Sequence, residues 1–198
     1  NGGWALSPDG RRLAIGLSTD AGDDIWIKQL PRGPLSRLTF DSTPDFRPRW
    51  MPDGRSVMFV GYRAGRGELY RRWADGTGGD ELVLRRAGIL EGAVSRDGRW
   101  LIFRIGGSTG IAGGRDILGL RLGVDSVPVP LVATANFDES AIALSPDGRW
   151  LAYESNESGR TEVYARPFPN TEAGKWQVSS SGGASPLWAP NGRELFFV

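Results

Sequence analysis

The sequence contains no histidine and no cysteine. A Ser-His-Asp triad, a Cys-His pair, a His-Glu-x-x-His zinc site and a Cys-x-x-Cys redox or metal site are therefore impossible within these residues. Without cysteine the chain depends on no disulfide, so its composition is compatible with any redox compartment. We predict no catalytic residue, no metal site and no cofactor.

Long apolar runs and blocks of like charge are also missing. No segment approaches the eighteen or so apolar residues that are needed to cross a bilayer. The 24 basic and 23 acidic residues nearly balance, and like charges do not cluster. We therefore expect no nucleic-acid partner and no membrane contact by this segment.

The sequence does contain a short motif that recurs along its whole length. The clearest copy is Ser145-Pro146-Asp147-Gly148-Arg149, and related pentapeptides begin at Ser7, Met51, Ser95 and Ala189. The third positions of successive copies are 44, 44, 50 and 44 residues apart. A nearly fixed period of this size, with strand-like sequence between the copies, is typical of a repeat architecture.

Each copy has the chemistry of a tight hairpin turn. Proline at the second position sets φ for a type I turn, and glycine at the fourth accepts the left-handed conformation that closes a bulged hairpin. Two further strand-like segments follow each of the first four turns, bounded by Gly, Pro or Asp. No segment keeps a 3.6-residue period, so we predict essentially no helix.

Three apolar columns run through the repeats, at three residues before the turn Asp or Asn and at four and six residues after it. Because side chains alternate along a strand, the last two columns share one face. We predict an all-β fold, a β-propeller of four-stranded antiparallel blades. The four complete repeats span 4–47, 48–91, 92–141 and 142–185, half of a fifth spans 186–198, and residues 1–198 form a single domain or fragment.

The motif and the apolar strand after it resemble the TolB-type, WD40-like β-propeller repeat along the whole chain. Residues 151–164, with Arg166-Pro167-Phe168-Pro169, look especially like the C-terminal propeller region of bacterial receptor serine/threonine kinases. The resemblance implies a partial propeller, part of a six-bladed ring that the remaining blades or a second copy would complete. It also implies an extracytoplasmic or periplasmic scaffold that binds a protein or ligand and is not itself an enzyme.

Three other functions remain open. Similar repeats occur in TolB-like periplasmic protein-binding modules and in the gating propellers of prolyl-oligopeptidase-type hydrolases. A propeller enzyme such as a metal-dependent lactonase would require carboxylates that converge in the channel.

We expect binding residues to differ between repeats, because a binding site needs residues that occur once, whereas a scaffold needs the same residues in every repeat. We interpret the recurring turn residues, the arginine that ends each motif and the recurring acids Asp24, Glu68, Asp116 and Glu162 as structural. Non-repeated polar residues lie in connections that we expect around the channel mouth, where a protein or small polar ligand would bind. The predicted site residues are Asp45, Arg47, Glu91, Arg115, Asp138 and Glu139, and a solvated loop face is the competing interpretation.

The glycine-rich segment 106–114 is the other candidate. It lacks the Gly-x4-Gly-Lys-Ser/Thr pattern, and it joins two predicted strands with no helix after it. We interpret it as a long hairpin loop and not as a nucleotide site.

Overall fold

The structure, a computed structural model, describes residues 2–106 and 114–198. The described residues form eighteen strands: β1 Trp4–Leu6, β2 Arg12–Thr19, β3 Gly22–Gln29, β4 Leu35–Arg37, β5 Asp45–Trp50, β6 Ser56–Arg63, β7 Arg66–Trp73, β8 Glu81–Leu84, β9 Ile89–Val94, β10 Trp100–Ile105, β11 Asp116–Arg121, β12 Val129–Val132, β13 Glu139–Leu144, β14 Trp150–Ser155, β15 Glu162–Pro167, β16 Trp176–Gln177, β17 Leu187–Trp188 and β18 Leu195–Phe196. Their one helical element is a 3₁₀ turn, Thr171–Ala173. Most of the predicted glycine-rich loop, 107–113, lies outside the described residues.

The strands form four four-stranded antiparallel sheets and one two-stranded sheet. Strands are neighbours in chain order within each sheet, as β1-β2-β3-β4, β5-β6-β7-β8, β9-β10-β11-β12, β13-β14-β15-β16 and β17-β18. Each four-stranded sheet is one blade of a β-propeller. The predicted all-β class, with four blades and two strands of a fifth, is confirmed.

Two compact units divide the chain, Asn1–Gly92 and Ala93–Val198. The core of the first unit contains apolar side chains of its two successive sheets, including Ile25 and Phe59. The core of the second unit contains Ile117 and Tyr153, again from successive sheets. Each unit therefore has its own apolar core between two blades.

The predicted apolar columns form much of this buried surface. Val57, Leu101 and Leu151, four residues after the turn, are fully buried. Burying a side chain of this size contributes about 1.5–3 kcal/mol. In the terminal repeats the columns are more exposed, since Leu6 is 49% and Phe197 is 41% exposed.

A repeated hydrogen bond joins neighbouring sheets inside each unit. The indole N–H of Trp50 donates to the carbonyl of Ala5 at 3.0 Å. Trp188 makes the same bond to Ala143 at 3.1 Å, with both partners at the same repeat positions. The tryptophan column therefore contributes a directional contact as well as apolar packing.

The turns use their aspartate as a hydrogen-bond acceptor. Asp147 Oδ1 accepts from the Ser145 hydroxyl at 2.6 Å and from the Arg149 N–H at 3.0 Å. Together with Arg149, the Ser145 hydrogen bond lowers the pKa of Asp147 to about 2. Gly148, with φ of +70°, supplies the left-handed residue that the motif predicts. This geometry gives the recurring aspartates a structural role.

Candidate functional site

Five of the six predicted site residues lie in or next to the first strand of a sheet, and the sixth lies just before a third strand. The first five are Asp45, Arg47, Glu91, Asp138 and Glu139, and the sixth is Arg115. The sequence placed all of them in connections. In the structure β5 begins at Asp45 and β13 begins at Glu139.

A β-bulge explains why the sequence predicts connections at these strand starts. The register of β5 against β6 shifts between Phe46 and Arg49, and Arg47 has φ of +54°. The register of β13 shifts in the same way, and Ala141 has φ of +56°. Because a bulge interrupts the two-residue alternation of side chains, the residues before it do not show a strand pattern.

Asp45 is completely buried and pairs with Arg63, the last residue of β6. Arg63 Nη1 donates to Asp45 Oδ1 at 2.8 Å and to Thr43 Oγ1 at 2.9 Å. The same guanidinium contacts Asp41 at 2.7 Å and Asp80 at 3.2 Å. Burial raises the pKa of Asp45 to about 6, against the opposing effect of Arg63. These contacts make an ion-pair network centred on Arg63.

The three carboxylates of this network could in principle hold a metal ion. Asp41, Asp45 and Asp80 each place one oxygen within 4.8 Å of the others. However, Arg63 already binds all three, and Arg72 Nη1 donates to Asp80 Oδ1 at 3.1 Å. Since positive charge is supplied from within the chain, the residues fit a structural network better than a metal site.

Arg47 and Glu91, two of the predicted residues, come together within the first unit. Glu91 is buried, and its carboxylate lies 3.3 Å from Arg49 and 3.7 Å from Arg47. Both arginine side chains are about 40% exposed, at 39% and 41%. Arg47 and Arg49 therefore present positive charge to solvent next to the buried carboxylate of Glu91.

Glu139 is the most unusual predicted residue. Its side chain is buried, and Oε1 accepts a hydrogen bond from the Thr134 hydroxyl. Its other oxygen, Oε2, is buried and has no hydrogen-bond partner among the described residues. Burial raises the pKa of Glu139 to about 7, and the negative charges of Asp116 and Glu157 add to the increase. At neutral pH this carboxyl therefore titrates.

Arg115 and Asp138 meet beside Glu139. The Glu139 N–H donates to the carbonyl of Arg115 at 2.9 Å, and Arg115 Nε lies 3.9 Å from Asp138 Oδ1. The Asp138 N–H donates to Asn156 Oδ1 at 2.9 Å. The structure therefore brings three predicted residues of the second unit together.

Asp45 and Glu139 occupy the same place in their blades. Asp45 pairs with Gly61 of β6, and Glu139 pairs with Ser155 of β14. Two residues beyond each partner the chains differ, with Arg63 in one blade and Glu157 in the other. One buried carboxyl therefore has a cation from its own blade, whereas the equivalent carboxyl has a second acid nearby.

Sequence reasoning missed several contributors to these groups, namely Asp41, Asp80, Thr134 and Glu157. No single motif marks them, because they meet the site residues only through strand register. A comparison of repeat positions would have found Glu157, which stands ten residues after its turn aspartate, as Arg63 does.

The recurring acids at the start of the third strands have structural partners in their own blades. Asp24 is bound by Arg37 at 2.7 Å, and Glu162 is bound by Arg160 at 2.6 Å. Arg85 lies 3.2 Å from Glu68. In these three blades the acid at the start of the third strand therefore pairs with an arginine of the same blade, consistent with the structural interpretation.

Comparisons with known proteins agree with this fold. The family model for the TolB beta propeller domain matches residues 1–119. A "Protein TolB homolog" of Chlorobium chlorochromatii is 29% identical over 147 residues, which is 73% of this chain and 31% of that protein. An uncharacterized protein of Agrobacterium fabrum is 24% identical over 211 residues, which is 100% of this chain and 69% of that protein.

Solved structures show the same architecture. A putative TolB from Agrobacterium tumefaciens has a TM-score of 0.81 at 18% identity, covering 98% of this chain and 68% of that chain. A structure from a study of two prolyl endopeptidases has a TM-score of 0.62 at 18% identity, covering 94% of this chain and 30% of that chain. Within the described ranges, no helix has the length and apolar character to span a bilayer.

Proposed function

The chain belongs to the TolB beta propeller domain family, and we propose that it is a non-catalytic scaffold that binds a protein or a small polar ligand. Binding would use the polar residues where the first strand of a blade begins. The blades present these residues on rigid strands, which favours recognition without a large conformational change.

Glu139 carries this proposal. In the second blade Arg63 lies 2.8 Å from the buried carboxylate of Asp45. At the equivalent position of the fourth blade, Glu139 Oε2 has no hydrogen-bond partner among the described residues. A buried carboxylate without a cation is costly, and an incoming guanidinium or ammonium group would offset that cost. A ligand with a positively charged group would therefore complement the charge of this carboxylate.

The finer setting that we propose is the extracytoplasmic part of a bacterial receptor serine/threonine kinase. The likeness of residues 151–164 and 166–169 to the propellers of such kinases supports it. A periplasmic protein-binding role is the alternative that the TolB-named relative favours. A membrane span and a kinase domain upstream of these residues would distinguish the first setting from the second.

A gating propeller of a hydrolase is a second candidate function. It is favoured by the shared fold with the prolyl endopeptidase structure, a likeness that at 18% identity concerns the fold alone. An α/β-hydrolase domain downstream of these residues would support this role and contradict the kinase setting.

The binding proposal is tested with two peptides whose ends are capped and therefore uncharged, acetyl-Gly-Arg-Gly amide and its citrulline analogue. Citrulline has the shape of arginine without its charge. By calorimetric titration at pH 8, we expect the arginine peptide to bind the chain and the citrulline peptide to bind about tenfold more weakly. Glu139→Gln should weaken the arginine peptide by a similar factor.

The matched control is Asp20→Asn, which removes one negative charge from an exposed turn. It should leave the affinity unchanged. Equal affinity of the two peptides, or an unaffected Glu139→Gln variant, would exclude this mode of binding. Cleavage of either peptide by the chain, seen by mass spectrometry, would contradict the non-catalytic assignment.

A further inference from the structure

Neighbouring hairpin turns pack against one another inside each unit. Pro8 of the first turn places Cδ 3.6 Å from the point that a β-carbon on Gly54 would occupy in the second turn. Pro146 of the fourth turn lies at the same distance, 3.6 Å, from the equivalent point on Gly192. The proline ring of one turn therefore fills the space beside the glycine of the next.

The third turn departs from this pattern because Arg96 stands where the other four turns carry proline. No atom of a non-adjacent residue lies within 4 Å of the corresponding point on Gly148. The exposed Arg96 side chain instead makes a long hydrogen bond to the Pro146 carbonyl, at 3.5 Å. In this pair of turns no proline ring stands beside the glycine, and the space beside Gly148 is open.

A groove of about 330 Å³ lies at this junction. Its lining includes Arg96, Trp100, Pro146, Gly148, Phe168 and Pro169. The volume is at the lower end of the range for ligand sites, roughly 300–1,000 Å³. Every lining residue belongs to the second unit.

The walls of the groove are aromatic and prolyl. Trp100 and Phe168 meet edge to face with ring centroids 5.5 Å apart. The indole N–H of Trp100 takes part in none of the hydrogen bonds of the described residues, and the residue is partly exposed. Polyproline II segments dock in aromatic-lined grooves, and their backbone carbonyls have no internal hydrogen bonds. A free indole N–H suits such a carbonyl.

The charge of the groove favours an acidic ligand. Asp147 pairs with Arg149 at 2.7 Å, and Arg99 Nε lies 3.9 Å from Asp97 Oδ2, so each aspartate of the lining has an arginine of its own turn beside it. Arg96 forms no ion pair within the part of the chain that the structure describes. Its guanidinium is therefore available to a carboxylate of a ligand.

We propose that this groove binds a proline-rich peptide segment of a partner protein in the polyproline II conformation, with a glutamate or aspartate side chain paired to Arg96. The prolyl rings contact Trp100 and Phe168, and the Trp100 N–H donates to a peptide carbonyl. The groove lies at the opposite end of β13 from Glu139, across a six-residue strand. This site is therefore independent of the one proposed above.

The test titrates the chain with acetyl-Pro-Pro-Glu-Pro-Pro amide and monitors the indole N–H signal of Trp100 in ¹⁵N–¹H NMR spectra. The Trp100→Phe variant, which lacks this signal, identifies it. We expect a saturable shift of that signal. Replacing the peptide glutamate by glutamine should weaken binding about tenfold, the effect of one charge-assisted hydrogen bond. A peptide with alanine in place of every proline should bind at least as weakly.

Arg96→Pro restores the repeated turn residue, so it should fold normally, close the groove and abolish binding. Arg96→Gln should weaken binding about tenfold, and this variant decides the matter if Arg96→Pro does not fold. Arg11→Gln, a matched change on an exposed turn arginine, should have no effect. No shift of the Trp100 signal at millimolar peptide, or equal affinity in the Arg96 variants, would overturn the proposal.

Discussion

Replacing Glu139 by glutamine should make the stability of the protein less dependent on pH. Burial raises the pKa of Glu139 from 4.5 to about 7 in the folded chain. Because the folded state holds this proton more tightly than the unfolded state, ionisation of Glu139 opposes folding. The penalty is absent well below pH 4.5, grows as the pH rises through this window, and is fully present above pH 7.

The size of the penalty follows from the shift. One pKa unit corresponds to about 1.4 kcal/mol, so a rise from 4.5 to about 7 gives a penalty of about 3 kcal/mol at high pH. Most of it, about 2.5 kcal/mol, develops between about pH 5 and about pH 8. For a chain of this length, one kcal/mol changes the melting temperature by about 2–4 °C. The expected effect is therefore about 5–10 °C.

The assay compares the melting temperatures of the wild type and Glu139→Gln at pH 5 and at pH 8. A glutamine amide without an acceptor would carry its own cost, but that cost is nearly the same at both pH values. The change in the difference between the two proteins therefore isolates the ionisation of Glu139. We expect the melting temperature of the variant, relative to that of the wild type, to be about 5–10 °C higher at pH 8 than at pH 5.

Glu194→Gln serves as the control, because Glu194 is exposed. It should show no such gain. If the difference between Glu139→Gln and the wild type is the same at both pH values, the carboxyl is not held in an environment that disfavours its charge. That result would also remove the main support for a cation-binding role of Glu139.

Gly148→Val should destabilise the chain by about 2 kcal/mol, because a β-branched residue resists a φ of +70°. The control Gly79→Val lies where φ is not in the left-handed region and no neighbour stands within 4 Å, so an equal loss of melting temperature there would contradict the turn geometry. Arg63→Met should cost about 3–5 kcal/mol in urea unfolding at pH 8, because it leaves Asp45 buried without its cation. Adding Asp45→Asn should recover much of that loss, and strictly additive losses would mean that the two side chains do not interact.

The blade architecture could be predicted from the sequence because its determinants are local. Four consecutive residues of the turn motif predict the left-handed conformation of Gly148. The alternation of apolar side chains, which recurs in each repeat, predicts the burial of Leu151. Both patterns can be recognised from the local sequence, without knowledge of distant contacts. The prediction that 1–198 is one domain and the prediction of a six-bladed ring stay predictions.

The site was only partly predictable because its contacts depend on register. Asp45 was named from its place between repeats, but its partner Arg63 lies 18 residues away and meets it only when β5 and β6 pair. The bulge at Arg47 is equally hidden, since it breaks the alternation from which strands are recognised. Sequence position identified polar residues near a strand start, whereas the charge balance of each group required the pairing.

The repeats provide an internal reference for what each departure does. At two pairs of turns a proline ring fills the space beside the next glycine, and where Arg96 stands in place of proline the space beside Gly148 is open. At the strand starts, Arg63 pairs with the buried Asp45, whereas Glu157 at the equivalent position of the fourth blade adds to the raised pKa of Glu139. Each departure forgoes a contact that another pair of repeats makes. Because a scaffold needs the same contact in every repeat, a position that lacks it is a candidate for binding, and the Glu139 and Arg96 variants test the two candidates.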